Sequence, residues 1–245
     1  MSGAPHPWAP RRFWTEVAVE AFPGGWGVRL DARPLRTPAR APMVVPARGL
    51  AEAVAAEWAA QEERLRPETM PVTRAVNSAI DRVAPEPAPL VAEIAGYGES
   101  DLLCHRAPGP EGLVRRQAEG WDPLLAWAEA DLGVRLVPVA GVMPARQPAG
   151  SLAALRREVA QFDAFGLTAL GEAVALSGSV VLGLALAAGR EEPGRLWALA
   201  QIDEAWQAEQ WGADAEAAAA MALRREAFLR AGRMLALLRE GRAAG

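Results

Sequence analysis

The spacing of the apolar residues changes once along this chain, around residue 50, and that change limits the folds open to it. Before it, "RFWTEVAVEAF" alternates, with Phe13, Thr15, Val17 and Val19 on one side and Trp14, Glu16 and Ala18 on the other. A period of two is that of a strand. "PGG" at 23–25 is a turn and "WGVRLD" at 26–31 a second strand, so the pair predicts a hairpin. "ARPLRTP" and "PMVVP" add two short extended pieces, which Pro34, Pro38, Pro42 and Pro46 restrict to edges, strand ends and turns. After the change, "ARGLAEAVAAEWAAQEERL" sets Leu50, Val54, Glu57, Trp58 and Gln61 at helical spacing, with Pro67 as its stop. "MPVTRAVNSAIDRVA" follows with Val72, Val76, Ile80 and Val83 as an apolar stripe. Its other face carries Arg74, Asn77, Ser78, Asp81 and Arg82.

"PEPAP" at 85–89 is the best linker, and beyond it helices dominate. Helices are expected over 89–97, 111–130, 150–163, 167–188, 194–210 and 213–240, with glycine and proline at the breaks. "DLLCHRA" fits a strand or a helix end, and "GVRLVPVAGVMPARQP" an extended connector. The expected class is α+β: a small β-rich N-terminal domain with its following helices over 1–84, then a larger, mainly α-helical domain over 85–245. A chain of 245 residues is long enough to bury a core in each.

Composition removes several functions. The net charge of −4 gives no surface for neutralising phosphates, so nucleic acid is not an expected partner. All 26 basic residues are arginine, and a phosphate loop of the GxxxxGK[ST] type is impossible without lysine. The single cysteine, Cys104, excludes an internal disulfide and fits a reducing compartment. "MSGAPHPWAP" has neither the apolar core of a secretory signal nor the pattern of an organelle presequence, so a cytoplasmic location is expected. "AVALSGSVVLGLALAAG", Ala173 to Gly189, is at the lower edge of membrane-spanning length. Its serines and glycines favour a buried core helix, with Ser179 and Gly183 allowing close packing. The basic amphipathic helix at 224–242 reads as docked through Phe228, Leu235 and Leu238, with its arginines in water.

Chemistry is hard to place. A nucleophile–base mechanism would have to use His105, since His6 lies in the leader. Its neighbour Cys104 would point to the opposite face of a strand. No cluster has metal-ligand spacing and no cofactor loop precedes a helix, so neither metal nor cofactor is expected. A hydrolase or transferase using Cys104 and His105 is the alternative reading.

The stretch "DEAWQAEQWGAD", Asp203 to Asp214, is the most unusual. Wound at about 100° per residue, Leu199, Ile202, Trp206 and Glu209 share one stripe. Asp203, Gln207 and Gln210 line up beside it, with Trp197, Glu204 and Trp211 on the far side. A carboxylate on an apolar stripe must be paired or hydrogen-bonded. Glu209 can pair with an arginine of its own chain, act as a general acid, or receive a cation from a partner while tryptophans anchor the burial.

The chain resembles the assembly chaperones that bind the α subunit of the soluble catalytic sector of F-type ATP synthase, found in mitochondria and in alphaproteobacteria. The resemblance runs from about Arg11 almost to the end, through "RRFWTEVAVE", "VRLDARPLRTP", "LAEAVAAEWAAQ", "PETMPVTRAVNSAIDRV", "DLLCHRA", "WDPLLAWA", "GVMPARQP", "LSGSVVLGLALAAG" and "IDEAWQAEQWGAD". It departs at Gly98, at Glu99 and in the last helix's tail. The resemblance implies a protein without enzymatic activity that covers the free α subunit until β arrives, with no membrane insertion. It places the family's acidic position on Glu209, with Asp203, Trp206, Gln207, Gln210, Trp211 and Asp214 around it as partner-facing residues. Arg74, Asn77 and Asp81 form a second such group.

Overall fold

The hairpin forms where alternation and turn agree. In a computed structural model that describes residues 11–141, 145–212 and 214–243, strands β1 (Val17–Phe22) and β2 (Gly25–Leu30) pair antiparallel, Val17 opposite Leu30 and Phe22 opposite Gly25. Pro23 and Gly24 make the turn, Gly24 at a positive φ of 89°. A side chain at Gly25 would collide with the Val45 carbonyl, so that position needs glycine. On its other edge β2 pairs with β3 (Arg33–Pro34) and then β4 (Val44–Val45), the short proline-bounded pieces. Alternation holds at the start of the chain, but the strand begins later than "RFWTEVAVEAF" suggests. Trp14 is buried and Phe13 is 61% exposed, so the inward face there is the tryptophan's.

Helix α1 (Arg48–Ala59) packs on this sheet through Leu50, Ala51 and Val54, and Trp58 meets Trp14 with ring centroids 5.1 Å apart. Glu57, on the apolar stripe of α1, is answered by the next helix, α2 (Pro71–Ser78). Its carboxylate accepts the Val72 and Thr73 backbone N–H groups at 2.7 Å each, satisfying donors that a helix start leaves over. Gln61 is buried for a similar reason, accepting from Arg66 N–H and donating to the Glu57 carbonyl. The α2 stripe differs from the expected one. Thr73, Val76 and Ala79 are buried, whereas Val72 and Ile80 are half-buried, and the helix continues as a π turn over Ala79–Val83.

By contacts the chain forms two units. The first comprises the described residues up to Glu86, Ala164–Thr168 and the end of the chain from Ala236; the second is Pro87–Asp163 and Ala169–Leu235. The second is built on helices α3 (Ala88–Gly96), α4 (Glu111–Leu132) and α5 (Ala149–Val159). Most of α6 (Ala164–Ser177), α7 (Val180–Ala188), α8 (Pro193–Ala200), α9 (Ile202–Trp211) and most of α10 (Ala215–Ala243) complete it. "DLLCHRA" is a 3-10 turn over Leu102–Cys104 followed by the two-residue strand β5 (His105–Arg106), parallel to β6 (Val139–Ala140) in the connector. Residues 142–144 of that connector lie outside the described residues.

Two expected helices divide. The 167–188 span breaks at Gly178, whose φ is +72°, and Ser179, whose Oγ caps α7 by accepting from Leu182 N–H. Asp101, fully buried, accepts from Leu103 N–H at 3.0 Å and Val181 N–H at 3.2 Å. The apolar run Ala173–Gly189 is therefore a helix–turn–helix, and no described helix is long and apolar enough to cross a membrane. Gly183 faces Leu170 and Val174 of α6, where a Cβ would be crowded out. The 194–210 span breaks at Gln201, where there is neither glycine nor proline. Trp121 Nε1 donates to the Leu199 carbonyl at 2.8 Å, and a continuous helix would give that carbonyl to residue 203. Phe228, Leu235 and Leu238 of α10 are buried, as expected for a docked helix.

Candidate functional site

Helix α9 lies between two environments. Toward α4, Ile202 is buried near Gly120, Trp206 is half-buried, and Glu209 is exposed. The stripe drawn on the sequence is thus covered by the chain's own α4, and the cover thins toward the C-terminal end of α9. Gly112 leaves room for Trp206: a Cβ there would sit 2.7 Å from the indole Cη2. Asp203 accepts from Gln117 Nε2 at 2.6 Å, and Gln117, itself buried, also accepts from Ala107 N–H.

At the rim, Arg116 grips Glu209 with two parallel bonds, Nη1 to Oε1 at 2.7 Å and Nη2 to Oε2 at 2.9 Å. Its guanidinium carbon also stands 5.0 Å from the Trp206 ring centroid. The hydrogen bond from Arg116 holds the Glu209 carboxyl below its ordinary range, and in return Arg116 is held above its own. Glu209 is therefore paired within the chain. Its side chain nonetheless remains 51% exposed and that of Arg116 40%, so the expectation of a carboxylate stranded on an apolar stripe is corrected. A charged carboxylate beside an arginine is also a poor general acid.

The opposite side of α9 opens on a cleft of about 560 Å³, shared with α8 and the start of α10. Trp197, Ala208, Trp211, Ala218 and Met221 form much of its wall. Trp211 is 79% exposed, the most exposed large apolar side chain among the described residues. Gln207 is exposed and lines the cleft, whereas Gln210 is exposed but does not. Asp214 accepts from Ala217 N–H at 3.0 Å and so caps α10. The structure brings Asp203, Trp206 and Glu209 together on α4, and Gln207, Trp211 and Asp214 at the cleft. Arg116 and Gln117 escaped the sequence reading. A buried glutamine four residues from Leu113 and from Trp121 on one helical stripe was the available signal.

The second predicted group is dispersed in role. Asp81 accepts from Thr37 Oγ1 at 2.6 Å and from Ala39 N–H at 3.2 Å, which ties α2's extension to the β3–β4 loop. Arg74 is exposed, and Asn77 is half-buried with an Oδ1 that has no hydrogen-bond partner. The Cys104–His105 pair offers no nucleophile. Burial, aided by the charge of Asp101, pushes the Cys104 thiol up to about 12, so it stays protonated at neutral pH. Among the described residues no cluster of histidine, cysteine and carboxylate side chains could hold a metal ion.

Known proteins give this geometry a setting. Residues 11–129 match the family model for the ATP12 chaperone protein. The crystal structure of Atp12 from Paracoccus denitrificans superposes with a TM-score of 0.89 at 48% identity, over 93% of this chain and 98% of that one. The chain belongs to the ATP12 chaperone family. An ATP12-like fold also appears in a protein of Agrobacterium tumefaciens, at TM-score 0.87 and 42% identity over 96% of this chain and 91% of that one. Mitochondrial atp12 of Schizosaccharomyces pombe is 26% identical over 214 residues, 82% of this chain and 74% of its own length. ATP12 proteins are assembly chaperones rather than enzymes, they occur in bacteria and in mitochondria, and they share the small sheet followed by a larger helical body seen here.

Proposed function

We propose that this ATP12 protein binds the free α subunit of the F-type ATP synthase catalytic sector, keeps it from aggregating and hands it on for assembly with β. In an alternating ring each α subunit lies between neighbours, so a lone α subunit exposes interface that favours self-association. A chaperone for it must bind reversibly through a surface that is partly polar. The observation that carries the reading is the outer surface of α9. There an exposed Trp211 and a solvent-facing Arg116–Glu209 pair stacked on Trp206 combine aromatic anchors with charge. Glu209 can trade its internal guanidinium for one on the client, because both partners already face water. Asp81, tied down internally, is the weakest of the proposed contacts, and a cytoplasmic site of action accords with the bacterial members of the family.

Co-expression of the chain with the α and β subunits of its host, separately, tests this. Soluble α is expected to co-purify and β is not; β alone, or neither, would refute it. Glu209→Lys is expected to cut the recovered α at least tenfold while the circular dichroism spectrum stays that of the wild type. An unfolded Glu209→Lys protein would make the pair structural and remove Glu209 from the docking surface.

A further inference from the structure

The cleft between α9 and α10 has no role in the contacts that hold α9 to α4. We propose that it receives a single amphipathic helix of the client, with a leucine-like apolar face flanked by arginine or lysine. The assignment rests on the chaperone reading above and specifies what the client presents.

Size, lining and charge agree on this occupant. About 560 Å³ falls within the range of a binding cavity, yet the cleft is a trough open to solvent rather than an enclosed chamber. Along its walls Ala205 and Ala208 of α9 face Ala217 and Ala218 of α10. Walls of alanine let another helix approach to about 8–10 Å between axes. Trp197 and Trp211, with Met221, supply large apolar surface for anchors at helical spacing. The start of α10 is exposed from Ala215 to Ala220, an alanine-rich surface. Polar side chains at the cleft include Glu204, Gln207 and Asp214, and among the described residues no arginine lines it. Of the acidic residues between Gln201 and Met221, Glu204 and Asp214 line the cleft, while Asp203 and Glu209 are turned to α4, and the stretch carries no basic residue. An apolar trough with an acidic rim favours a helix with basic flanks and disfavours one with acidic flanks.

The test uses the full chain and three labelled synthetic peptides of equal length. One is a helical amphipath with a leucine face and arginine flanks, one replaces the arginines by glutamates, and one is a scramble of the first. Fluorescence anisotropy at physiological salt should show the first binding at least tenfold tighter than either control. Trp211→Ala, which removes an anchor, and Ala208→Phe, which fills the trough, should each weaken it at least tenfold, and Glu204→Arg should do the same while flattening the salt dependence. Equal binding of the scramble or the acidic peptide, binding of no peptide, or indifference to all three substitutions would overturn the assignment. So would sedimentation showing that the chain dimerises and that Ala208→Phe dissociates the dimer, which would make a second copy the occupant. Co-purification separates this claim from the broader one. If α is retained by variants that no longer bind peptide, the cleft assignment fails and the α-binding function stands. If peptide binding persists but α is never recovered, the cleft stands and the client is a different protein.

Discussion

Glu57 and Glu209 fall at the same kind of place, on the apolar stripe of a helix, and their fates differ. Glu57 is half-buried and receives the two leading backbone N–H groups of α2. Glu209 is half-exposed and receives a guanidinium from α4. The first carboxylate joins two helices through backbone donors that the start of a helix leaves over. The second is matched to a cation that water would solvate equally well if the pair opened. A stripe carboxylate thus signals a compensating donor, and the kind of donor decides whether the contact holds the fold or remains available to a partner.

Asp101 extends the comparison to its limit and gives the largest expected effect. It is fully buried, held by backbone N–H groups of Leu103 and Val181, and burial raises its carboxyl from 3.8 to about 6 despite those hydrogen bonds. Asp101→Ala leaves these backbone donors and the Ser179 hydroxyl without their acceptor and should cost about 3 kcal/mol, read by urea denaturation. The pH dependence has a definite sign. A raised carboxyl stabilises the folded state most below pH 3.8, and that contribution, about 3 kcal/mol, is lost as pH rises through about 6. The stability of the wild type relative to Asp101→Asn should therefore fall as pH rises from about 4 to about 6 and stay constant outside that window. A difference that is constant across it would show that Asp101 does not titrate between the two states.

Next in size is Glu57→Ala, which frees the first donors of α2 and should cost about 2 kcal/mol. Smallest is Glu209→Gln, expected to leave the melting temperature close to the wild type. Because Glu209 is held below its ordinary range, its pair persists at neutral pH and is lost only on acidification. If Glu209→Gln destabilises the protein as much as Glu57→Ala, the two sites are alike and the rim pair is part of the framework.

Much of the fold was legible because local rules agreed with one another. The alternation around Val17 and Val19, the turn at Pro23–Gly24 and the proline-bounded pieces at β3 and β4 need no distant partner to be recognised. The break at Gly178–Ser179 was missed in the expected 167–188 helix, although its signal, a glycine followed by a capping serine inside an apolar run, is local. The break at Gln201 has no local signal, since it depends on Trp121 reaching the Leu199 carbonyl from 78 residues away. The site was legible in composition and not in orientation. Asp203, Trp206 and Glu209 could be placed on one helix, whereas Arg116, Gln117 and the room left by Gly112 belong to another helix and enter only when α4 packs.

By itself, then, the sequence determined a sheet-then-helix order, the absence of a lysine-based phosphate loop and the concentration of acid and indole near residues 203–214. These follow from backbone preferences and from which side chains are present, and both are local. Tertiary packing alone decided that α9 turns its stripe to α4, that Glu209 is paired yet exposed, and that an alanine-walled cleft lies on the other side. A helical wheel fixes which residues share a face, but the partner of each face is set by contacts between segments far apart in the chain, whose free energy no single segment contains.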